Sequence, residues 1–294
     1  FDNLPVINTT EPFWSVGPPK RSTVVLAAFN LRKEFTYDDT AFVATLLGLG
    51  FNVLSCAHAR LSDNKSLVRI ATENHVQIFD VRSLPVQYPV GNGLKRSGFR
   101  LLTVGHDANC GKKYTSLTLH RKLLEAGVKS TFRPTGQTGM LINDFECGII
   151  NDSIKADFLS GAAESLSPDN DPDHWDIIEG QGSIWHPGFC GGSLSLLVGS
   201  QPDLIVLCFD PKRIYQRGTT FLPVSIEEEI RANNLFVKRT NPKGQVFALS
   251  VKLPDEDVDL LSHYQALYPD LLVFSPNFPF SMDEAVSFIK DYRG

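Results

Sequence analysis

The sequence predicts an α/β protein of two parallel-sheet domains. Short apolar runs alternate with helix-period segments along nearly the whole chain. The alternation is broken once, by Pro85, Pro89 and Gly91-Asn92-Gly93, which read as an interdomain connector. A length of 294 residues also favours two domains over one.

Residues 1–22 carry Leu4-Pro5, Glu11-Pro12 and Gly17-Pro18-Pro19 without a sustained apolar period and read as coil. Residues 23–29 (TVVLAAF) form a run of the kind that a strand buried on both faces produces. Residues 38–49 have helical spacing, with Asp38 or Asp39 as N-cap and Gly50 as stop. A strand at 51–55, a helix at 63–74 opened by Ser62 or Asp63, and a strand at 76–81 complete a β-α-β-α-β unit of Rossmann-like type. This domain is taken as residues 1–94, and a second as residues 95–294 with order resuming near Ser97. In the second, strands are expected at 99–104, 129–133, 175–179, 204–209, 246–251 and 270–274. Helices are expected near 112–126, 151–166, 191–199, 225–235, 255–268 and 281–292, which gives a parallel sheet with helices on both faces.

Composition narrows the partners. A formal charge of −5 with no basic cluster excludes nucleic acid and anionic membrane as expected partners. No run reaches the roughly 18 to 20 apolar residues of a membrane helix. Five cysteines without a C-x-x-C pair argue against a disulfide framework and a zinc site. The acidic stretch 169–174 lacks the glycine and terminal Glu of a calcium loop, so no metal is expected. A soluble, cytoplasmic protein is expected, and the apolar helix around 194–198 suggests a homo-oligomer.

The strongest local signal is the loop that follows the strand at 99–104, GHDANCGKKYT. It runs from Gly105 through Asp107, Asn109, Gly111, Lys112, Lys113 and Tyr114 to Thr115. A glycine-rich turn between a buried strand and a helix points backbone N–H groups and the positive end of the helix dipole at one anion. Lys112 can reach outer phosphate oxygens. Five residues separate the two glycines, one more than in the common phosphate loop, as in dethiobiotin synthetase. Lys113 stands where a Ser or Thr hydroxyl would ligate Mg²⁺ beside a nucleoside triphosphate. A second lysine suits an anion that brings no magnesium, such as the pyrophosphate or 3′-phosphate of coenzyme A, with ATP and Mg²⁺ as the alternative.

Two further segments fall at predicted strand ends. Thr135-Gly136-Gln137-Thr138-Gly139 lets backbone approach a ligand. Glu179-Gly180-Gln181-Gly182-Ser183 puts an acid opposite the Gly105 loop, suited to orient a metal, position a water or act as general base on an amine. His186 lies close enough to share that crevice as a proton shuttle. Asp157, Gly161 and Glu164 share one helix face, read as ligand-facing rather than as a solvated stripe.

Together with TGQTG, ADFLSGAAE, SPDNDPDHWDIIEGQGS, HPGF, GSQPDLIVLC, HARLSD, FDVR and KRSG, the loop resembles the bacterial D-glutamate N-acetyltransferases, formerly a domain of unknown function. The likeness is dense from about residue 50 to 215. It implies a Rossmann-like N-terminal domain lacking its first βα unit and a P-loop NTPase-like C-terminal domain. The implied reaction moves acetyl from acetyl-CoA to the amine of D-glutamate or a similar amino acid. The core fold is also similar to dethiobiotin synthetase, so an ATP-dependent kinase or ligase, or a non-catalytic nucleotide or CoA binder, is the competing reading. Under the acetyltransferase reading Glu179 or His186 is the base, and Gln181 stands beside them. Backbone N–H groups of 180–183 or 135–139 meet the oxyanion. Arg60, Arg82 and Arg133, with Thr135, Gln137 and Thr138, hold the dicarboxylate acceptor.

Overall fold

A computed structural model describes residues 22–26, 36–83, 86–143, 145–254 and 257–294. The chain divides into two compact units, Phe1–Pro85 and Val86–Gly294. Except for Ser22, the expected N-terminal coil lies outside the described residues, as do residues 27–29 of the first expected strand.

In the first unit, strands β1 (Thr23–Leu26), β2 (Asn52–Ser55) and β3 (Ile78–Asp80) pair in parallel in that order. Helices α1 (Tyr37–Gly48) and α2 (Lys65–Glu73) connect them, burying Val43, Leu46, Leu47 and Leu67 against Val53. Helix α1 opens earlier than expected. Thr36 is the cap, its hydroxyl accepting from Asp39 N (3.2 Å) while the Asp39 carboxylate accepts from Thr36 N (2.9 Å). Asn64 caps α2 by accepting from Ser66 N at 3.0 Å. The expected openers Ser62 and Asp63 lie instead in a 3₁₀ turn, Leu61–Asp63, anchored by Leu61 N and Ser62 N on the Asp80 carboxylate.

The second unit holds a six-stranded parallel sheet. Its strands are β4 (Phe99–Gly105), β5 (Ser130–Arg133), β6 (Trp175–Ile178), β7 (Leu204–Phe209), β8 (Gln245–Val251) and β9 (Leu272–Phe274), in the order β5-β6-β4-β7-β8-β9. The chain therefore leaves β4 to one side and returns on the other, which opens a crevice at the carboxyl end of β4. One face is covered by α5 (Leu159–Leu166), α6 (Cys190–Ser200), α7 (Ile226–Val237) and α8 (Val258–Leu267). The other is covered by α3 (Lys112–Glu125) and α9 (Asp283–Asp291). Strand residues alternate between the two cores, Leu102 and Val104 into one and Leu101 into the other.

Three sequence expectations change. The helix expected over 151–166 is interrupted: 3₁₀ turns at Asn151–Ser153 and Ala156–Phe158 precede α5, because Ile154 and Lys155 between them are extended. Ile154 spends that extension packing on the core. Helix α4 (Gln137–Ile142) forms where only a glycine turn was expected. The segment after Val86, placed with the first domain, packs on the second unit: Asn92 N and Gly93 N donate to the Glu164 carboxylate at 2.9 and 2.6 Å. Gly161 lies so close to this segment that a Cβ there would stand 1.9 Å from Pro89 O. The Gly161–Glu164 face thus clamps the connector and is not ligand-facing.

Candidate functional site

At Gly105 the chain leaves β4 and turns over the sheet's carboxyl edge into α3. Two residues have left-handed backbone, Asn109 (φ 58) and Gly111 (φ 106), and through them the chain turns into the N-terminus of α3, the setting in which successive amides can meet an anion. Lys112 is buried, and its Nζ donates to Asp107 O (2.7 Å) and Gly182 O (2.8 Å). One ammonium thus ties the phosphate loop to the segment after β6. Thr115 Oγ1 lies 2.7 Å from Ser250 Oγ on β8, both buried, so that hydroxyl is committed to the sheet.

A cleft of about 930 Å³ lies over this edge. Asn109, Gly111, Lys112, Lys113, Tyr114 and Thr115 line it, as do Gln137, Glu179 and Gln181. Gly105 and Asp107, expected at the phosphate, are not in its wall. Gly105 lies beneath the loop, where a Cβ would meet Cys110 Sγ at 2.4 Å. Asp107 is fully buried, and its carboxylate accepts from Ala108 N (2.6 Å) and Arg217 N (2.8 Å), with Arg213 Nε at 3.2 Å. It braces the loop against residues 213–217.

Glu179 follows β6 and is 3% exposed. Its Oε2 accepts from Thr135 N at 3.1 Å, its Oε1 lies 3.6 Å from Lys113 Nζ, and its carbonyl accepts from Thr135 Oγ1 at 2.7 Å. Burial pushes this carboxyl above the usual carboxylate range, while Lys113 pulls it back. Gln181 Nε2 donates to Thr135 Oγ1 at 2.8 Å. Thr135 therefore positions Glu179 and Gln181 from outside the cleft wall. Gly139 is needed because a Cβ there would stand 2.4 Å from Glu179 Oε2.

The remaining expected residues sit elsewhere. His186 is buried outside the cleft wall: Nδ1 accepts from Gly188 N (3.0 Å), which leaves the proton on Nε2, 3.0 Å from Arg217 O. With both nitrogens engaged, it has none for a substrate proton. Arg133 is buried, its Nε donating to Asp176 Oδ1 at 2.8 Å. Thr138 lies in the first turn of α4, outside the cleft wall. Arg60 and Arg82 belong to the first unit, where Arg60 lies 3.7 Å from Asp63 and Arg82 Nε donates to Cys56 O at 2.9 Å. Gly180 N donates to Thr103 Oγ1 at 3.0 Å, so this amide is not an oxyanion donor. Of the apolar residues of α6, Leu196 and Leu197 lie in the core and Leu194 is exposed.

Sequence reasoning missed the other half of the wall. Asp210, Lys212, Ser250, Lys252, Ser275 and Asn277 line the cleft at the ends of β7, β8 and β9. They were discoverable, since ligands in open α/β sheets lie beyond the strands' carboxyl ends and these polar residues follow each predicted strand. It also missed Glu229 of α7, a fully buried carboxylate 3.3 Å from Ser183 Oγ.

A parallel sheet with a lysine-bearing glycine loop at the carboxyl end of a central strand defines the second unit as a P-loop domain. Residues 89–269 match the family described as a domain of unknown function (DUF1611_C), P-loop domain, and residues 2–84 match its Rossmann-like counterpart (DUF1611_N). The chain belongs to this family. Over 212 residues, 71% of this chain, it is 45% identical to a D-glutamate N-acetyltransferase of a Pseudoalteromonas species. Over 230 residues, 78% of this chain, it is 39% identical to a D-glutamate N-acetyltransferase of Tritonibacter scottomollicae. The matches span 63% and 68% of those two proteins. A crystal structure of a DUF1611 family protein from Anabaena variabilis is similar with a TM-score of 0.82 at 25% identity, covering 92% of this chain and 80% of that one. Among the described residues no helix is long and apolar enough to cross a membrane.

Proposed function

We propose that this chain transfers the acetyl group of acetyl-coenzyme A to the amine of D-glutamate or a similar amino acid. The observation that carries the reading is the Lys113–Glu179 pair in the cleft wall, at 3.6 Å. A lysine there replaces the hydroxyl that a magnesium nucleotide needs, and Thr115 Oγ1, the next aliphatic hydroxyl along, is bonded to Ser250. The names of the two curated relatives support the same direction.

The residues present fit the coenzyme. Four lysines against two carboxylates line the cleft of a chain whose net charge is −5, and loop residues 108–115 line the same space. The coenzyme supplies an activated acetyl thioester. Glu179, its carboxyl raised by burial with Lys113 opposing that rise, takes the proton that the acceptor's ammonium must lose. The amides of Gln181 and Gly182 serve as donors to the developing oxyanion, Gly180 N being spent on Thr103.

The test is to supply acetyl-CoA with D-glutamate and follow thiol release. Release that depends on the acceptor is expected. Silence with D-glutamate and with a panel of amines, beside brisk ADP formation from ATP, would overturn the reading in favour of a ligase.

A further inference from the structure

The sheet order divides the cleft wall in two. On the β5–β6 side of the loop stand Gln137, Glu179 and Gln181. On the β7–β9 side stand Lys212, Lys252, Ser275 and Asn277. An extended ligand whose diphosphate lies on the loop between them must send one end each way. Resting on the acetyl-transfer reading, the thioester belongs with Glu179, so the nucleoside end runs toward β8 and β9.

That far end has its own chemistry. Lys252 Nζ reaches Asp210 Oδ2 at 3.0 Å and Asn109 O at 3.4 Å, and its side chain is half exposed. Lys212 is exposed on the same side, and among the described residues its ammonium forms no ion pair. Beyond them Ser275 Oγ is fully buried in the cleft wall without a hydrogen-bond partner. Asn277 Nδ2 donates to Leu253 O at 2.6 Å, which fixes the side chain at the cleft wall and leaves its carbonyl as an acceptor. A buried hydroxyl without a partner is costly unless something polar meets it.

We infer that the β7–β9 half of the cleft is a subsite for an adenosine 3′-phosphate, with Lys212 and Lys252 on the phosphate and the Ser275–Asn277 segment against the base. A monoester dianion suits two ammonium groups, which bind phosphate as point charges, Lys212 exposed and Lys252 already held at the cleft wall by Asp210 and the Asn109 carbonyl. ATP carries no 3′-phosphate, so this subsite separates coenzyme A from a triphosphate after the shared loop has bound either.

The experiment titrates the protein calorimetrically with coenzyme A and with dephospho-coenzyme A, and compares KM for their acetyl thioesters. Coenzyme A should bind about tenfold more tightly, and Lys252→Ala, alone or with Lys212→Ala, should remove most of that difference. Both substitutions are on exposed or half-exposed side chains, so folding should be unaffected. Rising salt should shrink the difference too. Equal affinity for the two ligands overturns the subsite, whether or not acetyl transfer occurs. A tenfold preference without acetyl transfer supports the subsite and removes the transferase reading. Transfer at equal KM from both donors does the reverse.

Discussion

Lys113 Nζ lies 3.6 Å from Glu179 Oε1, a lysine on the first turn of α3 facing an acid just past β6 across the mouth of the phosphate loop. Burial raises the Glu179 carboxyl, and Lys113 is the largest influence opposing it. Because a base works only when deprotonated, kcat/KM for acetyl transfer should climb with pH through a value above the ordinary 4.5 of Glu. Lys113→Met removes the stabilising cation and should move that limb to higher pH, while Glu179→Gln should abolish transfer. A limb that stays in place in Lys113→Met would remove Glu179 from the role of base.

Lys112 makes a different contribution. Its ammonium bonds the carbonyls of Asp107 and Gly182, which aligns the loop and the segment after β6 around one charge. Lys112→Ala deletes the tie and, with it, the anion contact proposed for this ammonium. Affinity for coenzyme A should fall by about tenfold or more, as expected for a charge-assisted contact. Calorimetric titration checks this, and unchanged affinity would show that the anion lies elsewhere.

Gly180 has no room for a side chain, since a Cβ there would stand 1.6 Å from Thr103 O. The obstacle is strand backbone, which cannot swing away. Gly180→Ala should therefore cost about 1–3 kcal/mol in denaturant unfolding and also displace Glu179 and Gln181. Full activity with unaltered stability would mean that β4 and this segment are more compliant than their packing indicates.

Much of the fold was legible because parallel strands buried on both faces, such as LLTV and LIVLCF, leave unbroken apolar runs separated by helix-period stretches. The loop was legible because its glycines and lysine sit between two such elements. What could not be read were contacts that join distant polar groups. Asp107 and His186 look like site residues in sequence, yet each is spent on residues 213–217. Helix α4 was hidden because it is only six residues long with Gly139 inside it, which lowers helix propensity, while Gly139 packs closely on Glu179 and Pro134. Glu229 is one of three consecutive acids, and only its alignment with Ala232, Asn233 and Val237 on the buried side of α7 marks it as the inward one.

That buried carboxyl governs how stability depends on pH. Glu229 lies beneath Ser183 and beside Asn233, and burial lifts it from the ordinary 4.5 to about 8. Between these values the folded chain holds a proton on Glu229 that the unfolded chain has released. Unfolding then sheds protons, so this group's contribution is fully present below pH 4.5 and is lost as pH rises toward 8. Glu229→Gln keeps the neutral shape and cannot ionise. Its denaturant midpoint should fall less from pH 5 to 8 than that of the unsubstituted protein, the difference being worth a few kcal/mol, with the raised carboxyl of Glu179 still contributing to both. Parallel pH profiles for the two proteins would show that Glu229 is ionised in the fold, with Lys112 or another cation carrying its charge.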